Sequence, residues 1–206
     1  MSIVLASGSP RRKELLEMLG VRDLVILPAK GEEKAAEGLG PAELVMALAS
    51  HKAHEVEALR PAEDVIVAAD TIVWGEDGLP LGKPASEEDA RTMLRRLSGR
   101  THHVSTGVCL IFADDPSEPT SFVETTDVEF FDLTEAMVES YVSSGEPRDK
   151  AGSYGIQGLG RLLVKAIRGD YYNVVGLPVA RVIREVQHHG NGNEKIMASI
   201  LEGTRE

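Results

Sequence analysis

The chain has 206 residues, of which 42% are hydrophobic and 27% are charged, and this composition is typical of a globular protein with one domain. The formal net charge of −11, from 22 basic and 33 acidic residues, disfavours non-specific binding to nucleic acid or to an anionic membrane, because both favour a basic surface. The single cysteine, Cys109, excludes an intrachain disulfide, and its apolar neighbours predict a buried thiol.

Strands and helices are predicted along most of the chain. Apolar periodicity and turn residues predict strands over residues 3–6, 25–27, 65–73, 103–112, 122–131 and 162–167, and helices over residues 11–19, 41–59, 86–97, 134–143 and 177–187. Because these elements mix without strict strand–helix alternation, we predict an α/β fold with a mixed central β-sheet flanked by helices. We expect residues 1–188 to form one domain. We expect residues 189–206 to form a C-terminal tail that contains a loosely attached helix.

The first turn has the composition of a phosphate site. Ser7 and Ser9 follow the first predicted strand, and Pro10, Arg11 and Arg12 open the first predicted helix. Serine is a favourable N-cap residue and proline a favourable first helical residue, and a helix N-terminus attracts anions through its N–H groups. The two hydroxyls and two guanidinium groups therefore predict a site for a polyanion, with an ordinary solvated helix start as the alternative.

Asp70 lies inside the apolar run of residues 65–73. A carboxylate in such a run is costly unless it is paired, bound to a metal or placed at the edge of a cleft. It can activate a water molecule or hold a divalent cation. The alternative is a turn or capping aspartate, with Thr71 as an ordinary strand residue.

Several other side chains are candidates for binding a substrate or a metal, although their sequence neighbours indicate a function less strongly. Pro84 restrains Lys83 to an extended backbone, from which its ammonium group can reach a phosphate; Lys52 and Glu33 are further candidates. Gln157 lies in the glycine-rich segment 151–160 and offers a donor and an acceptor to the edge of a base. The alternative for Lys83, Lys52 and Glu33 is a solvated surface position, and the alternative for the segment of Gln157 is a flexible loop.

Common nucleotide motifs are missing from the sequence. It contains neither a glycine-rich phosphate loop ending in Gly-Lys-Ser/Thr nor the dinucleotide-binding glycine pattern, and one cysteine excludes a thiolate zinc site. A polyanion site, one embedded carboxylate and scattered lysines together suit metal-assisted phosphoryl or nucleotidyl chemistry with water as the nucleophile.

The sequence resembles the Maf (septum-formation inhibitor) family of nucleoside triphosphate pyrophosphatases over residues 3–186. The matching strings lie at residues 7–12, 48–53, 69–71, 82–84, 97–99, 141–147, 149–152, 155–158 and 175–178. The resemblance implies a fold similar to that of the ITPases, with two lobes and an active-site cleft. It also implies a homodimer.

The resemblance further implies cleavage of a nucleoside triphosphate between its α- and β-phosphates, giving the monophosphate and pyrophosphate. Asp70 matches the family's proton acceptor. Glu33 would help Asp70 to hold Mg or Mn, although residues 29–33 are less acidic than the family pattern and Glu32 is an alternative. The residues that would hold the triphosphate are Ser7, Ser9, Arg11, Arg12, Lys52 and Lys83.

Three positions bear on the choice of base. Arg11, Thr71 and Gln157 match the branch of the family that acts on dTTP and UTP, rather than the branch that acts on 7-methyl-GTP. The resemblance therefore implies a house-cleaning enzyme of nucleotide pools, with a role in division arrest as an added expectation. The alternatives are a nucleotide-binding regulator of septum formation with little turnover, and a pyrophosphatase for non-standard purine triphosphates.

Location is expected from what the sequence lacks. No basic segment followed by a long apolar run opens it, and no apolar run reaches the roughly 20 residues that span a bilayer. We therefore expect a cytoplasmic protein that binds a nucleoside triphosphate and has neither nucleic acid nor a membrane as a partner.

Overall fold

A computed structural model describes residues 2–21, 23–31, 38–59 and 65–189. Its helices are α1 (Pro10–Met18), α2 (Pro41–Leu59), α3 (Glu87–Leu97), α4 (Glu135–Ser143), α5 (Tyr171–Val175) and α6 (Val179–His188). Its strands are β1 (Ser2–Leu5), β2 (Asp23–Ile26), β3 (Val65–Trp74), β4 (Pro80–Leu81), β5 (Thr101–Phe112), β6 (Asp115–Phe130) and β7 (Val164–Arg168). Short 3-10 turns lie at Glu146–Asp149, Ala151–Ser153 and Leu159–Leu162.

The described strands form a seven-stranded sheet in the order β2-β1-β3-β5-β6-β7, with β4 paired to β3. Strand β1 runs parallel to both β2 and β3, so that Val4 lies opposite Val25 on one side and Ile66 on the other. Strand β7 runs antiparallel to β6, with Asp127 opposite Arg168. The sheet is therefore mixed, and the predicted α/β fold class is confirmed.

Two of the predicted helix starts are confirmed by their capping bonds. The Ser86 hydroxyl accepts a hydrogen bond from the Asp89 N–H at 3.1 Å at the start of α3. The Thr134 hydroxyl accepts one from the Met137 N–H at 3.2 Å at the start of α4. A side-chain acceptor at the N-cap satisfies a backbone donor that has no partner within the helix.

Strand β6 is the largest departure from the predicted elements, because it begins at Asp115 rather than at residue 122. Its first residues include Pro116 and Pro119, and residues 116–118 are exposed. Proline, aspartate and, less strongly, glutamate are depleted in strands, so local propensity predicts a loop there. Pairing with the long neighbour β5 nevertheless extends the strand.

The chain divides into two compact units. The first comprises described residues within the ranges 1–70, 106–123 and 176–206, and the second comprises residues 71–105 and 124–175. Two lobes were expected from the family resemblance; the cleft stays a prediction. None of the helices in the described ranges is long and apolar enough to cross a membrane.

Each unit has its own buried cluster. In the first unit, α2 packs on apolar side chains of β1, β3 and β5, and Cys109 is fully buried among them, as predicted. In the second unit, α3 and α4 cover a cluster that includes Val73, Phe130 and Tyr154. His102 is also fully buried in this unit.

His102 shares a hydrogen bond of 2.8 Å between its Nε2 atom and the Tyr154 hydroxyl. Its ring also meets those of Phe130 and Tyr154 edge to face. Burial, and to a smaller extent the neighbouring His103, lowers the pKa of His102 to about 3, so the imidazole is neutral in the folded protein at ordinary pH. An unfolded chain would protonate the same ring near pH 6.5.

We therefore expect the contribution of His102 to the free energy of unfolding to be greatest above about pH 6.5. It should fall by up to about 1.4 kcal/mol for each pH unit between about 6.5 and 3, because only the unfolded state takes up this proton in that window. Urea unfolding from pH 7.5 to 4.5 measures the slope. The variant His102→Gln should lose this part of the slope, whereas His54→Gln, at an exposed position on α2, should keep it. Equal slopes for the wild-type protein and His102→Gln would contradict the assignment.

Candidate functional site

The turn after β1 is organised by Ser7. The Ser7 hydroxyl, in a residue that is only 8% exposed, accepts hydrogen bonds from the Ser9 N–H at 3.2 Å and from Arg12 Nη1 at 3.0 Å. Arg12 Nε also donates to the Gly176 carbonyl at 2.8 Å. These bonds hold the guanidinium of Arg12 against the turn, so the structure brings Ser7, Ser9 and Arg12 together as the polyanion site requires.

Ser9 is the N-cap residue of α1 and Pro10 follows it, as predicted. Among the described residues, the Ser9 hydroxyl makes no side-chain capping bond. The N–H groups of the first turn of α1 are thus not satisfied by that hydroxyl, and such groups favour an anion. Arg11 is half-buried on the same turn of α1.

Asp70 is paired with Lys52. The Lys52 Nζ atom of α2 donates to Asp70 Oδ1 of β3 at 2.5 Å, and each side chain is only 14% exposed. This pairing explains how a carboxylate is tolerated directly after the five buried residues of 65–69, because its charge is compensated. It also places two of the predicted site residues in direct contact.

The carboxyl ends of the parallel strands β1 and β2 lie beside the middle of β3, which continues past Asp70 to Trp74. The Ala6 N–H donates to the Val67 carbonyl of β3 at 2.9 Å, and the Leu27 N–H donates to the Leu5 carbonyl of β1 at 3.0 Å. The turn bearing Ser7 therefore begins where β1 ends, beside the part of β3 that leads to Asp70. Ligands of parallel sheets bind at such edges.

Glu55 was not among the candidates from the sequence, although it binds the segment that follows β2 at the same edge of the sheet. Its carboxylate on α2 accepts the Lys30 N–H at 2.6 Å and the Gly31 N–H at 3.0 Å. These backbone bonds hold the pKa of the Glu55 carboxyl below its ordinary value. Glu55 thus fixes the chain up to Gly31. The predicted metal ligand Glu33 and its alternative Glu32 lie outside the described residues.

Thr71, Lys83 and Gln157 belong to the second unit. Thr71 is half-buried on β3, Lys83 is exposed just after β4, and Gln157 is half-buried in the glycine-rich segment. The Gly152 N–H donates to the Gly82 carbonyl at 3.1 Å, which ties the loop of Lys83 to the start of that segment. The first unit thus carries Asp70 and every described phosphate candidate except Lys83, and the second unit carries Thr71, Lys83 and Gln157.

Asp70 is the predicted metal ligand that lies among the described residues. They contain no cluster of three histidine, cysteine, aspartate or glutamate side chains that could hold an ion. Asp70 is nevertheless a suitable oxygen ligand, since Mg²⁺ in nucleotide sites usually takes one or two carboxylates together with substrate phosphates. The described donor set therefore fits a cation that the substrate helps to hold.

Comparison with known proteins identifies relatives along almost the whole chain. A family model described as "Maf-like protein" matches residues 2–189. A dTTP/UTP pyrophosphatase of Agathobacter rectalis is 48% identical over 201 residues, covering 91% of this chain and 97% of that relative. A dTTP/UTP pyrophosphatase of Halalkalibacterium halodurans is 48% identical over 188 residues, covering 91% and 96%.

A HAM1 protein from Coxiella burnetii aligns with a TM-score of 0.45 and 20% identity, over 63% of this chain and 73% of that chain.

Proposed function

Because this chain belongs to the Maf family, we propose that it is a nucleoside triphosphate pyrophosphatase that acts on dTTP and UTP. The products would be the monophosphate and pyrophosphate. Two neighbouring features of the first unit carry this proposal: the Ser7–Arg12 contact in the turn after β1, and the Lys52–Asp70 pair on the adjacent parallel strand β3. Cations, a helix N-terminus and one carboxylate are what hydrolysis of a phosphoanhydride needs.

In the proposed reaction, the carboxylate of Asp70 accepts a proton from the attacking water. The water oxygen forms a bond to the α-phosphorus, the bond from the α-phosphorus to the bridging oxygen breaks, and pyrophosphate leaves with that oxygen. Lys52 donates a hydrogen bond to Asp70 and so holds the carboxylate in place. Ser7, Ser9, Arg11 and Arg12 would bind the phosphate oxygens, and the family resemblance adds Lys83.

A divalent cation, Mg or Mn, belongs to the proposal. Asp70 would hold it together with Glu33, as the resemblance implies, and with the substrate's phosphates. When bound, the cation supplies Lewis-acid stabilisation of charge on the phosphoryl oxygens. The chain's own contribution is the orientation of Asp70 by Lys52.

The choice of a pyrimidine base rests on Arg11, Thr71 and Gln157. The amide of Gln157 can donate to the O4 atom and accept from the N3–H group of thymine or uracil. The printed names of the relatives agree with this choice. We also propose a homodimer, on the strength of the family resemblance alone. A cytoplasmic location and one domain over residues 1–188 are proposed from the sequence.

Pyrophosphate release from a panel of nucleoside triphosphates, assayed with Mg and with Mn, tests the proposal. We expect dTTP and UTP to be cleaved fastest and turnover to require one of the two cations. Preferential cleavage of 7-methyl-GTP or of ITP would contradict the proposed base choice. Tight nucleotide binding without turnover of any substrate would favour the regulator, and release of inorganic phosphate would mean that another bond is cleaved.

A further inference from the structure

The loop of residues 155–160, here called the Gln157 loop, is held by two side chains outside it. Glu146 accepts the Leu159 N–H on Oε2 at 2.8 Å and the Gly160 N–H on Oε1 at 3.2 Å. Tyr141 accepts the Gly155 N–H on its hydroxyl at 3.1 Å. The backbone is therefore anchored on both sides of Gln157, two residues before it and two residues after it.

The two anchors are joined to each other. The Tyr141 hydroxyl donates to Glu146 Oε1 at 3.0 Å, so one carboxylate collects three hydrogen bonds. Tyr141 is 4% exposed, and burial raises the pKa of its hydroxyl, which keeps the proton that it donates. Burial of Glu146 acts to raise its pKa, but the bonds from Leu159, Gly160 and Tyr141 hold this pKa below its ordinary value. Glu146 is therefore the charged acceptor of the network near neutral pH.

The glycines of the Gln157 loop match this arrangement. A Cβ atom added at Gly158 would lie 2.4 Å from Glu146 Oε2. One added at Gly160 would lie 2.3 Å from the Gly155 carbonyl oxygen and 2.8 Å from the Tyr141 hydroxyl. The loop thus lies directly against the two anchors, with no room for side chains at these positions.

We propose that Glu146 is a positioning residue for base recognition: together with Tyr141, it holds the Gln157 loop in the shape that presents the Gln157 amide to the pyrimidine. This inference rests on the proposed function, because it assumes that Gln157 reads the base. Glu146 contacts no reacting group in the proposed reaction, and the positioning role explains why a charged acceptor lies beside the Gln157 loop. A flexible loop would have to be ordered by each substrate, and that ordering would weaken binding.

The variants Glu146→Gln and Tyr141→Phe test the proposal, with Glu139→Gln on α4 as the matched control. Glu139 is an exposed glutamate that binds Arg91, so its variant removes the same charge without touching the Gln157 loop. We expect Glu146→Gln to lower the ratio of kcat/KM for dTTP to that for dATP by about tenfold, mainly by raising the KM for dTTP, since a backbone donor then faces an amide group. Hydrogen exchange at Leu159 and Gly160 should accelerate in the same variant.

A double-mutant cycle with Gln157→Ala separates positioning from general stability. If Glu146 acts through Gln157, Glu146→Gln should change the base preference only when Gln157 is present. An equal change in both backgrounds, or a fall in kcat with the base preference kept, would overturn the proposal. Unchanged amide exchange in Glu146→Gln would overturn it too.

Failure of the proposed function would look different. A wild-type protein that cleaves no dTTP or UTP, while Glu146→Gln still accelerates exchange at Leu159 and Gly160, would refute base reading by Gln157 and keep only the loop anchor. Normal wild-type cleavage with a Glu146→Gln variant that behaves like Glu139→Gln would refute the positioning role alone.

Discussion

Replacing Asp70 with asparagine is expected to lower the rate of pyrophosphate release from dTTP by about 10²- to 10⁴-fold, the usual contribution of a positioned base. Asparagine keeps the shape of the side chain but cannot accept the proton of the attacking water. It can still accept a hydrogen bond from Lys52, whose Nζ atom lies 2.5 Å from Asp70 Oδ1. The fold should therefore persist, and circular dichroism together with thermal unfolding would show it.

The matched control for this experiment is Asp115→Asn. Asp115 lies at the start of β6, where its carboxylate accepts a hydrogen bond from the Ser117 hydroxyl at 3.0 Å. This variant makes the same chemical change away from the proposed site, so its turnover should match that of the wild-type protein. Near-wild-type turnover by Asp70→Asn would reject Asp70 as the proton acceptor.

Replacing Gly107 of β5 with alanine is expected to lower the stability of the protein strongly. A Cβ atom at this position would lie 2.4 Å from the Val45 carbonyl oxygen and 2.8 Å from the Met46 nitrogen, both in the backbone of α2. Because a helix backbone cannot rotate away as a side chain can, we expect a loss of about 3 kcal/mol in the free energy of unfolding. For a chain of this length, that corresponds to a fall in Tm of about 6 to 12 °C.

Gly82→Ala is the control for the stability experiment. No described atom lies within 4 Å of a Cβ atom placed at Gly82, so alanine should fit there without displacement. Its Tm should stay within a few degrees of the wild-type value or rise slightly, since alanine restricts the unfolded chain. Similar Tm values for the two alanine variants would contradict the close approach of α2 to β5.

Local sequence patterns predicted much of the fold. The helix over residues 41–59 was predicted with its observed bounds, because Pro41 starts it and apolar residues recur at helical spacing. The starts of α3 and α4 were predicted at Ser86 and Thr134 from the local sequence, since capping is a local interaction. The short helix α5 (Tyr171–Val175) was missed, because five residues do not establish a helical period.

The candidate site was predicted in its residues but not in its contacts. The apolar run around Asp70 indicated that the carboxylate needed a partner. Its pairing with Lys52 depends on how α2 packs against β3, which no local pattern specifies. Glu146 and Tyr141 were missed for the same reason, since the Gln157 loop that they hold lies up to 19 residues further along the chain. The glycines of the Gln157 loop indicated that another part of the chain packs closely against it, but they did not identify Glu146 and Tyr141 as the residues that do so.

The central claim is that water attacks the α-phosphorus and breaks its bond to the bridging oxygen. Hydrolysis of dTTP in water enriched in oxygen-18 tests this claim most directly. Attack at the α-phosphorus predicts that the heavy oxygen is found in dTMP and that the pyrophosphate contains none, as phosphorus-31 NMR or mass spectrometry would show. Heavy oxygen in the pyrophosphate would mean attack at the β-phosphorus. That result, or formation of dTDP and inorganic phosphate, would contradict the proposed role of the Asp70 edge.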